Sequence, residues 1–177
     1  MGSVLIFCTF KFHRAFFRAA ASRFPKCTRE SFVFLAVAAT AGDNPYNETA
    51  DAKLDLKQAL TQAATNQTPI IIVFGANWCG DCKMLDTAMK TGASAPLLAR
   101  DFIIVKVNVG HWDKNFDIAK TYGVPLEKGI PAVAIISAKN EVLYVTREGE
   151  LASARSMGDK GIYEFLKKVT AQAMAKK

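Results

Sequence analysis

Apolar residues in this chain follow two rhythms. The first is the unbroken run, as in Ile70-Ile71-Ile72-Val73-Phe74 and the mostly apolar stretch Phe102–Val109, both of the length and β-branched make-up of strands. The uniform apolarity of the earlier run predicts a central strand covered by helices on both of its faces. The second rhythm is helical. Ala52, Leu56, Ala59, Leu60 and Ala63 share one face of a helix predicted over Glu48–Gln67, which Pro69 closes, and Ile162, Phe165, Leu166, Val169 and Ala173 mark a last helix from about Lys160. Between these lie a helix from about Cys79 to Lys90, a short helical piece at Ala95–Arg100, and a helix that Asp113 can cap, running through about Tyr122 to an end at Gly123. A hairpin pairs Ala132–Ser137 with Glu141–Thr146, turning through Lys139-Asn140. Strands alternating with helices, then a hairpin and one more helix, predict an α/β fold with a mixed central sheet flanked by helices on both faces.

Charge and composition separate the first forty residues from the rest. The chain has 177 residues and a formal charge of +7, but residues 1–40 hold six Lys/Arg against the single acid Glu30, which leaves +2 for the remainder. No basic face is left to explain, so nucleic acid is not an expected partner. Phe32–Ala39 is a short apolar core after the basic stretch, with small residues Ala39 and Ala41 beyond it, which is the order of a secretory signal. The basic stretch is long for one. A start downstream of Met1, or a mitochondrial presequence around Phe12–Phe24, stays open as an alternative. The apolar run falls well short of the ~20 residues that span a bilayer. The expected organisation is a leader at 1–41, a linker at 42–48 and one domain at 49–177, with the protein periplasmic or otherwise exported, or else mitochondrial.

Cysteine spacing carries the chemistry. Cys8 and Cys27 lie in the leader, so Cys79 and Cys82 are the thiols of the globular part. A structural zinc wants about four ligands, and no second Cys-x-x-Cys or histidine pair follows; no metal or other cofactor is expected beyond a redox-active Cys79–Cys82 disulfide. Two thiols at this spacing, where a buried strand feeds a helix, make a reversible redox switch. At a helix mouth the unpaired N–H groups and the dipole favour Cys79 as thiolate, the attacking species, and Cys82 one turn on can attack the mixed disulfide and release product.

With the strand Ile70–Phe74 leading into Trp78-Cys79-Gly80-Asp81-Cys82-Lys83, Gly129-Ile130-Pro131-Ala132 before a hairpin strand, and the closing amphipathic helix, the chain resembles the thioredoxin family over roughly residues 50–175. The contexts Asn77–Cys82, Gly110–Asn115 and Tyr122–Leu126 resemble bacterial exported thioredoxin-like proteins described as disulfide isomerases. The resemblance implies a thioredoxin fold and reduction or isomerisation of disulfides in protein substrates. It also implies a cis-proline at Pro131, whose loop with Ile130 receives an extended substrate segment, and an electron-donor or acceptor protein, a membrane-bound one among the candidates. Trp78 would shield the nucleophile and give substrates an apolar contact. Two departures stand out. The buried acid such proteins carry six residues before the first cysteine is here Val73, so the proton of Cys82 must pass to water, to Asp81 or to another group. The usual Gly-Pro between the cysteines is Gly80-Asp81, an anion that should raise the thiol pKa values while Lys83 and the helix N-terminus oppose it. His111 is a candidate base and Trp112 a candidate extension of the substrate rim. Rival readings are a dedicated thiol reductase of one partner in a mitochondrion or the cytosol, and a non-catalytic binding module in which the cysteines are incidental.

Overall fold

The computed structural model describes residues 44–176, so the leader with its two cysteines falls outside the described residues. Elements follow in the order α1 (Ala52–Asn66), β1 (Ile70–Gly75), α2 (Gly80–Lys90), α3 (Ala95–Asp101), β2 (Ile103–Asn108), α4 (Phe116–Thr121), a 3-10 turn at Leu126–Lys128, β3 (Ala132–Ile136), β4 (Val142–Val145) and α5 (Ala154–Met174). The sheet runs β2-β1-β3-β4, with β1 parallel to β2 and antiparallel to β3, and β3 antiparallel to β4. This is the mixed sheet that the alternating pattern predicts. No helix among the described residues is long and apolar enough to cross a membrane.

Every residue of β1 is buried, because its side chains alternate between two cores. Ile70, Ile72 and Phe74 pack with residues of α1 and α4, and with both cysteines. Ile71 and Val73 face the other way, toward Leu85, Met89, Leu98, Ile162 and Leu166 of α2, α3 and α5. At about 1.5–3 kcal/mol for each large apolar side chain removed from water, this one strand anchors both layers.

Helix boundaries differ from the expected ones where local chemistry overrides periodicity. α1 starts at Ala52, not near Glu48, because the Asp51 carboxylate caps it by accepting from the amides of Lys53 at 3.0 Å and Leu54 at 3.1 Å. Asp113 does not cap α4. Its carboxylate accepts from the His111 amide at 2.8 Å inside the preceding loop, while Asn115 occupies the cap position with φ 57° and donates through its side chain to the Asn108 carbonyl at 2.7 Å. Gly123 does end α4, at φ 69°, with the Val124 amide donating back to the Ala119 carbonyl at 2.9 Å. The last helical element begins at Ala154 and breaks at Gly158, whose φ is 64°; the regular stretch after that break is the helix expected from about Lys160. The preceding turn, Ala154–Met157, lacks an apolar rhythm of its own.

Candidate functional site

The carboxyl end of β1 delivers the cysteine pair to the start of α2. Cys79 is the N-cap of α2, in extended conformation, and its Sγ accepts from the Cys82 amide at 3.1 Å. This places the sulfur among the unpaired N–H groups of the first helical turn, where negative charge is favoured. The two cysteines form a disulfide. Their environments are unequal: Cys79 is 7% exposed and Cys82 is 0% exposed. Both cysteines are therefore buried, where an attacking sulfur at a helix mouth would be expected to be exposed; what distinguishes the pair is that Cys79 retains slight exposure and Cys82 none.

Across from the pair stands the loop before β3. The Ile130–Pro131 bond is cis, and the Ile130 carbonyl oxygen lies 3.7 Å from Cys79 Sγ. Both residues are buried. The Ile130 N–H has no hydrogen-bond partner among the described residues. Cys79 therefore looks onto backbone polar groups that an extended chain could pair with.

Trp78 is 48% exposed and is held by donating from its indole Nε1 to the Gly110 carbonyl at 2.7 Å. His111 stacks on it with centroids 6.0 Å apart and an interplanar angle of 13°, Trp112 sits at 5.9 Å, and Phe116 continues the row beyond Trp112 at 6.5 Å. Trp112 is itself 44% exposed, so it extends the aromatic rim beside the cysteines instead of packing over the sheet edge. His111 sits against the Trp78 ring, and no hydrogen bond joins it to either sulfur.

Asp81 finds its partner far along the chain. Its carboxylate accepts from the Arg155 amide at 2.9 Å and from the Arg155 guanidinium at 3.1 and 3.3 Å. Burial opposes ionisation of Asp81, but the Arg155 amide and guanidinium together outweigh it and hold the carboxyl below the ordinary carboxylate range. The counter-charge expected from Lys83 is therefore supplied by Arg155; Lys83 is half-buried and makes no ion pair among the described residues. Gly80 is part of the same arrangement, because a Cβ there would come within 3.1 Å of the guanidinium. A depressed folded pKa means that this pair contributes stability above the free carboxylate value of about 3.9, and that the contribution fades as pH falls through the lower folded value. Removing the guanidinium with Arg155→Ala is expected to leave the Asp81 charge unbalanced beside the thiols. The pH midpoint for alkylation of Cys79 in the reduced protein should then rise by a few tenths of a unit, small because the Arg155 side chain is well exposed. An unmoved midpoint would remove Arg155 from the electrostatics of the site.

Val73 leaves β1 without a carboxylate, yet Lys106, its register partner on β2, is still paired. The partner is Asp86 of α2, one helical turn beyond Cys82, which binds Lys106 with one oxygen and Lys90 at 2.8 Å with the other. Burial pushes the Lys106 ammonium below its ordinary pKa despite Asp86. Sequence reasoning missed three participants: Tyr46, Asp86 and Arg155. Tyr46, in the segment expected to be a linker, is 2% exposed.

The sequence profile of a family described as Thioredoxin-like matches residues 49–138. A crystal structure of a disulphide isomerase from Xylella fastidiosa Temecula1 is 44% identical, with a TM-score of 0.69 over 71% of this chain and 96% of that one. Thioredoxin 1 of Chlorobaculum tepidum is 39% identical over 71 residues, 40% of this chain, and the match spans 62% of that protein's length. A DsbH oxidoreductase at 18% identity and TM-score 0.50, covering 73% of this chain and 94% of that one, shares the fold.

Proposed function

For a chain that belongs to the thioredoxin-like family and carries its cysteine pair as a thiol–disulfide oxidoreductase, we propose reduction or isomerisation of disulfides in protein substrates. The observation that carries this reading is the asymmetry of the pair: Cys79 Sγ caps a helix, keeps slight exposure and faces the Ile130 carbonyl, while Cys82 is fully buried. Cys79 attacks a substrate disulfide as thiolate and becomes joined to one substrate sulfur. Cys82 then attacks Cys79 Sγ, releasing the substrate thiol and leaving the Cys79–Cys82 disulfide. The free Ile130 N–H and the carbonyl beside it hold an extended substrate segment as an added strand next to Pro131, and the Trp78–Trp112 rim covers the apolar side chains that flank it. Support for isomerase or reductase work comes from the likeness to the Xylella fastidiosa protein, whose description is a disulphide isomerase.

Such an enzyme must be returned to its dithiol form, so a protein electron donor is part of the proposal. Export to an oxidising compartment is the setting that the basic and then apolar leader supports. Direction depends on potential: family values run from about −270 to about −120 mV, and each 30 mV is roughly 1.4 kcal/mol.

Cys82→Ser tests the division of labour. With the resolving thiol gone, mixed disulfides between Cys79 and substrate proteins should accumulate as high-mass bands on a non-reducing gel and vanish with dithiothreitol. An empty trap would reverse or abolish the assigned roles.

A further inference from the structure

The resolving step has a physical difficulty that the sequence leaves unanswered. Cys82 is fully buried, and a thiolate there is costly unless a donor meets it. In this step the Cys82 thiol gives up its proton and its electron pair attacks Cys79 Sγ. The bond from Cys79 to the substrate sulfur breaks as the Cys79–Cys82 bond forms, and the substrate sulfur leaves with the bonding pair and takes up a proton. One thiol is consumed and one released, with no outside oxidant.

One hydroxyl is placed to meet that sulfur. A Cβ built on Gly75 would fall within 3.0 Å of both the Tyr46 hydroxyl and Cys82 Sγ, so the two converge on the same point at the end of β1. Glycine at 75 is what allows them to approach. Tyr46 is held there from behind: the Asn77 side chain accepts from its amide at 2.9 Å, donates to its carbonyl at 2.8 Å, and donates to Glu48 at 2.8 Å. Among the described residues, the charged groups acting on its ring and hydroxyl are Asp86 of α2 and Lys106 of β2, whose ammonium stands 6.0 Å from the ring centroid. Around Cys82 the charged groups are Asp81 and Asp86 on its own helix, Lys83 beside it, Lys106 across the sheet and Arg155 of α5, which is engaged with Asp81. Burial, and then the charge of Asp86, raise the phenol far above its ordinary pKa, so it stays protonated and can only be a neutral donor to an anion. Tyr46 also precedes the stretch that matches the family profile, residues 49–138.

Resting on the exchange reading above, we propose that the Tyr46 hydroxyl is the hydrogen-bond donor that stabilises the buried Cys82 thiolate in the resolving step. Both groups lie within 3.0 Å of the same point beside Gly75, so the hydroxyl stands next to the sulfur it would serve. The phenol, brought in by the segment ahead of α1, does not take over the proton-accepting role of the carboxylate absent from β1; it stabilises the thiolate once its proton has left.

Glutathione disulfide serves as the probe. Reduced wild-type protein and Tyr46→Phe are mixed with it, quenched in acid at intervals, and the glutathione adduct on Cys79 is counted by intact mass. Tyr46→Phe keeps the ring and is expected to acquire the adduct at the wild-type rate but clear it about tenfold more slowly, with the pH midpoint of clearance raised by about one unit. A merely structural role would slow both phases or neither and leave the midpoint in place. Site-specific 3-fluorotyrosine at position 46, a stronger donor of nearly the same size, should clear the adduct faster than wild type. That second measurement stands if Tyr46→Phe does not fold. Equal clearance in all three proteins overturns the role of Tyr46 alone; a wild-type protein that forms neither the adduct nor the Cys79–Cys82 disulfide overturns the exchange chemistry and this proposal together.

Discussion

Cys79→Ser is expected to abolish thiol–disulfide exchange, with the rate of reduction of a model protein disulfide such as insulin falling by at least about a thousandfold. The loss should be chemical and not conformational. Serine is among the best N-cap residues, and its hydroxyl can accept from the Cys82 amide as the sulfur does now, so α2 keeps its first turn. The disulfide that is lost closes a very short loop and constrains the unfolded chain little. What disappears is a nucleophile whose thiolate the helix end stabilises; a hydroxyl with a pKa far above neutrality gains almost no anion from the same environment. Unfolding by urea should thus give a midpoint close to that of the reduced wild-type protein while exchange is gone. Retained exchange in Cys79→Ser would transfer the attack to Cys82, which solvent does not reach in this fold, and would overturn the functional reading at its root.

Phe74→Ala should be the most damaging single change to stability among the residues that carry the site, at about 3–5 kcal/mol. Phe74 is fully buried near the end of β1, in register with Val107 on β2 and Ala132 on β3, and belongs to the same apolar cluster as Cys79, Cys82, Ile118 and Ile130. A small residue here opens a void between strands whose backbones cannot close on it. A drop of that size shows as a lower urea midpoint with an unchanged slope. Because the void lies directly beneath the cysteine pair and the Ile130 loop, exchange by the folded fraction should also slow. A cost under about 1 kcal/mol would mean that this end of the sheet is not the packed support that its burial indicates.

The contrast between these variants and those at Arg155 and Tyr46 shows where the information lies. Ile70–Phe74, the helical faces of α1 and α5, and the Cys79–Cys82 spacing are local patterns. Period, length and a two-residue gap are read along the chain with no knowledge of what packs against what, and together they suffice for the order of elements and for the reactive pair. Even the wrong helix starts were local matters in which one cap outweighed a rhythm, as Asp51 does ahead of α1. The partners of the site are of another kind. Arg155 meets Asp81 across 74 positions, Asn77 holds Tyr46 across 31, and Trp78 is tied to Gly110 across 32.

Arg155, Tyr46 and Asp86 have no neighbour in sequence that would betray their roles, since an arginine, a tyrosine or an aspartate on its own is compatible with an ordinary solvated face. Their meeting depends on β1 lying between β2 and β3 and on α5 crossing α2, which are properties of the folded topology. Hence the redox pair and its frame could be read from residue order alone. The charge balancing Asp81, the acid paired with Lys106 and the hydroxyl beside Cys82 emerged only once distant segments were brought together, because electrostatics and hydrogen bonding act through space and not along the chain.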